Sequence, residues 1–76
     1  MSATIARSLD LRGVPDGAQL ATAAVAILEL RPGESLEVLS DAPHAARDFD
    51  VWCRANGHRL VAHDRRDGAD HLLIRR

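Results

Sequence analysis

One cysteine, no tyrosine, no lysine and a single residue each of phenylalanine and tryptophan stand among the 76 residues. Each shortage closes a class of function. A lone cysteine, Cys53, cannot make an internal disulfide, which argues against a stapled secreted scaffold and fits a reducing compartment. With aromatics at 3%, from Phe49 and Trp52, the core must be mostly aliphatic. The net charge is −1 and no basic stripe runs along the chain, a poor match to a nucleic-acid surface. All ten basic residues are arginine, which reads as a bias of composition. The apolar run from Leu20 to Leu30 contains Thr22 and Glu29 and is too short to cross a bilayer. "MSATIARSLD" lacks the apolar segment of a leader peptide. The expectation is one soluble cytoplasmic domain over residues 1–76 with a thin core, since chains of this size bury only ~60% of their unfolded surface.

Ile5 to Leu11 reads as a first strand, with Ile5, Leu9 and Leu11 alternating and Arg7 interrupting them. Gly13 and Pro15 end it. Asp16 is placed to cap a helix over about Gly17 to Leu30, with Gln19 completing a capping box. Leu20, Ala23, Ala24, Ile27 and Leu30 form its expected buried stripe, and "RPGE" stops it. "SLEVLS" alternates as a second strand, Leu36 and Val38 on one side, Glu37 and Leu39 on the other. Asp41 can cap a second helix whose apolar face is Ala45, Ala46, Phe49, Trp52 and Cys53, and Gly57 suits its C-terminus. Asp50 and Arg54 stand at i, i+4. "RLVAHD" and "HLLIRR" are strands joined through a hairpin at Asp67-Gly68. Its buried face is open between Val61, Leu72 and Ile74 and Leu60, Ala62 and Leu73. The order β-α-β-α-β-β implies an α+β, two-layer α/β sandwich with two helices on one face of a mixed four-stranded sheet.

Three groups could carry chemistry. Cys53 lies late in its helix, where the dipole disfavours a thiolate, and on the apolar stripe, so it reads as a small core residue. His44, His58, His63 and His71 match no zinc spacing. The hairpin could bring His63 and His71 diagonally close, which reads as a solvated pair, and neither metal nor cofactor is called for. Asp16 reads as a structural cap worth ~1 kcal/mol, with Arg12 the nearest charge in sequence. The outer side of the first helix (Ala18, Ala21, Thr22, Val25, Glu29) is poor in charge and fits a flat docking surface as well as it fits an alanine-rich composition.

Taken in order, "LDLRG", "LRPGESLEVLSDAP", "ARDFDVWCRANGHRLV" and "DGADHLLIRR" resemble the TusA/SirA-like family of small sulfur-carrier proteins, from about Leu9 to Arg76. The resemblance implies a fold like the C-terminal domain of translation initiation factor three, and a Cys-Pro-x-Pro motif opening the first helix. In that motif the cysteine takes a sulfane sulfur as a persulfide and hands it to a partner protein. The spacing from Gly13 to Pro32 puts Asp16 at that cysteine's position, so Asp16-Gly17-Ala18-Gln19 replaces the motif. The expected function is a non-catalytic binding or regulatory module that meets a protein of a sulfur relay through Arg12, Asp16, Gly17 and Gln19, as a monomer or weak dimer. The alternative is a sulfurtransferase that uses Cys53 as its persulfide site.

Overall fold

A computed structural model describes residues 5–76. The first four residues, which the sequence reading placed in the domain and in the segment without a leader, lie outside the described residues. The elements run β1 (Ile5–Asp10), α1 (Asp16–Leu28), β2 (Ser35–Ser40), α2 (Ala45–Ala55), β3 (Arg59–Arg66) and β4 (Ala69–Arg75), the expected order. Strand order in the sheet is β1-β2-β4-β3. β1 pairs β2 in parallel, while β4 runs antiparallel to both β2 and β3. β2 and β4 are therefore central, and β1 and β3 are the edges.

Alternation decides which face is covered. Leu36 and Val38 of β2 stand opposite Ile74 and Leu72 of β4, and all four are buried in one cluster with Ala23, Ile27, Ala45, Phe49 and Cys53. Both helices thus close on one sheet face. Phe49 is the largest buried side chain and meets Trp52 edge-to-face, with ring centroids 6.1 Å apart. On the other face Glu37 is exposed and Leu39 half-buried.

The hairpin combines the two expected faces. Asp67 (φ 54°) and Gly68 (φ 76°) form its two-residue turn, since successive left-handed residues match the twist of the strands. Leu72 and Ile74 are buried on β4, whereas on β3 it is Leu60 that packs on the core and Val61 that is 42% exposed. A bulge between Leu60 and Ala62 explains the mixture, because one extra residue switches the face that follows. Beyond it, His63 stands opposite Leu72 and Asp64 opposite His71. Leu72 and His71 are neighbours on β4 and point to opposite faces. The expected His63–His71 pair is therefore not formed. His63 instead donates from Nε2 to buried Asp70 at 2.8 Å, and Arg65 donates to the other carboxylate oxygen at 3.0 Å.

Helix α1 differs from expectation in its start and in its stripe. Asp16 is its first helical residue, Pro15 holds the cap position, and no side chain caps the end. The amides of Ala18 and Gln19 turn back to the Pro15 carbonyl at 2.9 and 3.1 Å. Proline's fixed φ suits this entry, and Asp16 is left to act only through its charge at the positive helix end. The buried residues of α1 are Gln19, Ala23, Ala26 and Ile27, with Leu20 and Ala24 only half-buried. Helix α2 is likewise without a side-chain cap, His44 holding that position. Its far end closes as expected, the His58 amide donating to the Cys53 carbonyl at 2.8 Å beyond Gly57 at φ 74°.

Candidate functional site

The corner between β1 and α1 is built by a turn. The Val14 amide donates to the Leu11 carbonyl at 3.1 Å, and Gly13 takes φ 83°, a conformation that glycine adopts without steric cost. The turn is tied to the loop after β2. Asp41 accepts from the Gly13 amide at 2.9 Å and from Gln19 Nε2 at 3.0 Å. This is the task that Asp41 performs in place of the expected cap on α2.

Gln19 is the hub beneath this corner. It is 1% exposed, its Nε2 also donates to the Val14 carbonyl at 2.8 Å, and its Oε1 accepts from Ser40 Oγ. Ser40 in turn accepts from the Ala42 amide at 3.1 Å. Both ends of the amide are therefore satisfied inside, as burial of a polar group requires. Gln19 does not join the exposed surface with Arg12, Asp16 and Gly17; it braces that surface from below.

Arg12 and Asp10 form a two-bonded pair at 3.0 and 2.8 Å. The Arg12 side chain and amide hold the Asp10 carboxyl down at about 2. The Gly13 amide and the Gln19 side chain lower that of Asp41 as well. Asp16 stands at the rim of this network, exposed, at the tip of α1. The corner therefore offers amide hydrogens, a helix end and fixed negative charge. It has no nucleophile.

The thiol is elsewhere. Cys53 is 1% exposed, on the inner side of α2 within the core cluster. Burial, and after it the charge of Asp50, pushes the thiol up to about 11. At neutral pH roughly one molecule in ten thousand would then hold a thiolate there. The thiol also sits in the last turn of its helix, where carbonyls rather than amides face outward.

The outer face of α1 leaves Ala18, Ala21, Thr22, Val25 and Leu28 exposed, with Val25 at 64% and Leu28 at 65%. Beside it a groove of about 400 Å³ runs between α1 and the edge strand β1, lined by Leu9, Ala21, Thr22, Val25 and Ala26 and closed by the Arg7–Glu29 ion pair. No helix among the described residues is long and apolar enough to cross a membrane.

Comparison with known proteins places the chain as a whole. The family model described as Sulfurtransferase TusA matches residues 7–76. Two Neisseria meningitidis proteins, from serogroups A and B and each bearing the name "Putative sulfur carrier protein", are 30% identical to the chain over 67 residues. The matched stretch covers 88% of this chain and 90% of each relative.

Proposed function

The chain belongs to the sulfurtransferase TusA family, and from that premise we propose that it docks a protein of a sulfur relay without itself carrying sulfur. The placement of Cys53 supports this reading. To load a persulfide, a thiolate must attack the terminal sulfur of a donor persulfide, and the donor leaves as a thiolate. Cys53 is the chain's only cysteine. Before it could attack, it would have to lose a proton held well above neutral pH and leave a packed core. A sulfurtransferase that uses Cys53 is therefore the less favoured reading.

At the tip of α1, Asp16 occupies the position that the resemblance assigns to the sulfur-bearing cysteine. A carboxylate there carries the charge of a thiolate or persulfide at the same helix end, where that charge is favoured. It cannot form the sulfur–sulfur bond. Arg12, Asp16 and Gly17 form the exposed contact, and Gln19 holds their backbone in place. Recognition by shape and charge survives where transfer does not.

Capture from host lysate on the immobilised chain, with Asp16→Arg as a second bait, tests the docking. The expected result is a persulfide-handling protein that the native chain retains, free chain releases and the Asp16→Arg bait loses. Identical proteins on both baits would overturn the role given to Asp16.

A further inference from the structure

We propose that the sheet end remote from Asp16 is a second docking surface, where Arg59 and Arg75 grip the acidic residues of a segment from another protein. The pairing of charge leads there. Among the described residues, Arg7, Arg12, Arg47, Arg54, Arg65 and Arg66 each pair with an acidic side chain. Arg31, Arg59, Arg75 and Arg76 do not. Remote in sequence, these four meet at one end of the fold: the turn after α1, the start of β3 and the close of β4.

Their tasks differ. Arg76 donates to the Leu28 and Leu30 carbonyls where α1 ends, so its side chain serves the fold. Its backbone ties β4 to the turn after α1, through Gly33 at 3.2 Å and Glu34 at 3.0 Å. Arg59 and Arg75 have no such task. They stand directly opposite each other on β3 and β4, and both are exposed. Their neighbours Leu60 and Ile74 pack on the core, so the two arginines lie on the sheet face that no helix covers. Like charges directly opposite in a sheet destabilise it, and folding gains nothing from this pair. The nearby acids are engaged: Glu29 with Arg7, Glu34 with the Arg31 amide at 2.7 Å, and Glu37 with Ser8 at 3.0 Å.

The surroundings choose the partner. Arginine forks match carboxylates through two parallel bonds. In the next row of the same face, Ala62 stands opposite Leu73, and both line a hollow of about 200 Å³ that Ile5 also borders. An acidic segment with one large apolar side chain fits both features. Phe49 and Trp52 belong to α2 on the other face, so single-stranded nucleic acid would find no stacking platform here. The surface lies about 20 Å, the length of a six-residue strand, from the Asp16 corner. It therefore does not depend on the sulfur-relay reading.

Titration of the isotope-labelled chain with a peptide holding two glutamates beside a leucine tests it, read by amide chemical shifts. Shifts are expected at Arg59 to Ala62 and Leu73 to Arg75, fading as salt rises from about 0.05 to 0.5 M. Glutamine in place of the glutamates should abolish them. Arg59→Glu combined with Arg75→Glu should weaken binding about ten-fold or more, whereas Arg47→Glu with Arg54→Glu should change it by less than about two-fold. Arg59→Glu alone turns a repulsive cross-strand pair into an attractive one and should raise the melting temperature by about 2–5 °C. Shifts scattered over the whole chain, or equal losses in the two double variants, overturn the proposal. So do tighter binding of oligothymidine, which would make this a nucleic-acid surface, and inorganic phosphate reproducing the same shifts at equal concentration.

Discussion

Helix α2 presents Arg47, Asp48 and Arg54 to solvent together with one apolar residue, Val51, with Asp50 paired to Arg54 at 3.2 Å, and puts Ala45, Phe49 and Cys53 into the core. Helix α1 is the reverse in both respects. Its inner side is small and partly polar (Gln19, Ala23, Ala26 and Ile27), and its outer side is apolar. The same sheet face thus holds one helix with a large apolar residue in the core and one whose apolar residues also face outward. The chain's thiol belongs to the first, and Asp16, the residue proposed for docking, to the second.

Substitutions that strike each helix where it contributes most separate the two roles. The largest effect belongs to α2: Phe49→Ala is expected to cost about 3–5 kcal/mol, close to the whole stability of a small domain, and urea denaturation should show a largely unfolded chain. In α1 the corresponding position is polar. Gln19→Leu strands the Val14 carbonyl and Ser40 Oγ, and is expected to cost about 1–3 kcal/mol by the same measurement. A neutral result would mean that the corner stands without its hub.

Acid distinguishes the regions more gently. His58 lies against Trp52 with ring centroids 5.3 Å apart and planes tilted by 40°, and burial together with the charge of Arg76 lowers its pKa from the ordinary 6.5. Its contribution is therefore complete above pH 6.5 and is lost as pH falls toward the folded value, because the unfolded chain takes up the proton first. The carboxyls of Asp10 and Asp41 are also lowered, that of Asp10 from 3.8 to about 2. Their contribution is present above pH 3.8 and lost as pH falls below it, for Asp10 between there and about 2. Melting temperature against pH should show both falls, with His58→Asn removing only the upper one and Asp10→Asn weakening only the lower.

The smallest effect is assigned to the residue at the centre of the functional reading. Without a capping hydrogen bond, Asp16→Ala is expected to change stability by no more than about 0.5 kcal/mol, the share of a charge near a helix end. The capping box read from the sequence would give ~1 kcal/mol. Calorimetry distinguishes them.

Local signals carried most of the fold. The alternation of "SLEVLS" placed Leu36 and Val38 inside, the Asp67-Gly68 pair marked its turn, and the apolar spacing of α2 named Phe49 and Cys53. What local pattern could not show was choice among long-range partners. Asp16 and Asp41 each stand before a helix, as a cap would. Pro15 takes the first place, and Asp41 turns instead to Gly13 and Gln19, remote in sequence from it. Gln19 looked like the outer half of a capping box because nothing adjacent hints that Ser40 and Asp41 will meet it. The bulge after Leu60 has no residue signature either, so the paired faces of the hairpin and the separation of His63 from His71 emerged only with the register.

The account is tested most directly by the mass of the native chain after incubation with a persulfide donor, with the urea-unfolded chain treated alongside. It predicts that the folded protein stays unmodified while the unfolded protein gains one sulfur atom at Cys53. A folded chain that gains that sulfur as readily as the unfolded one would contradict it, and would make Cys53 a working carrier.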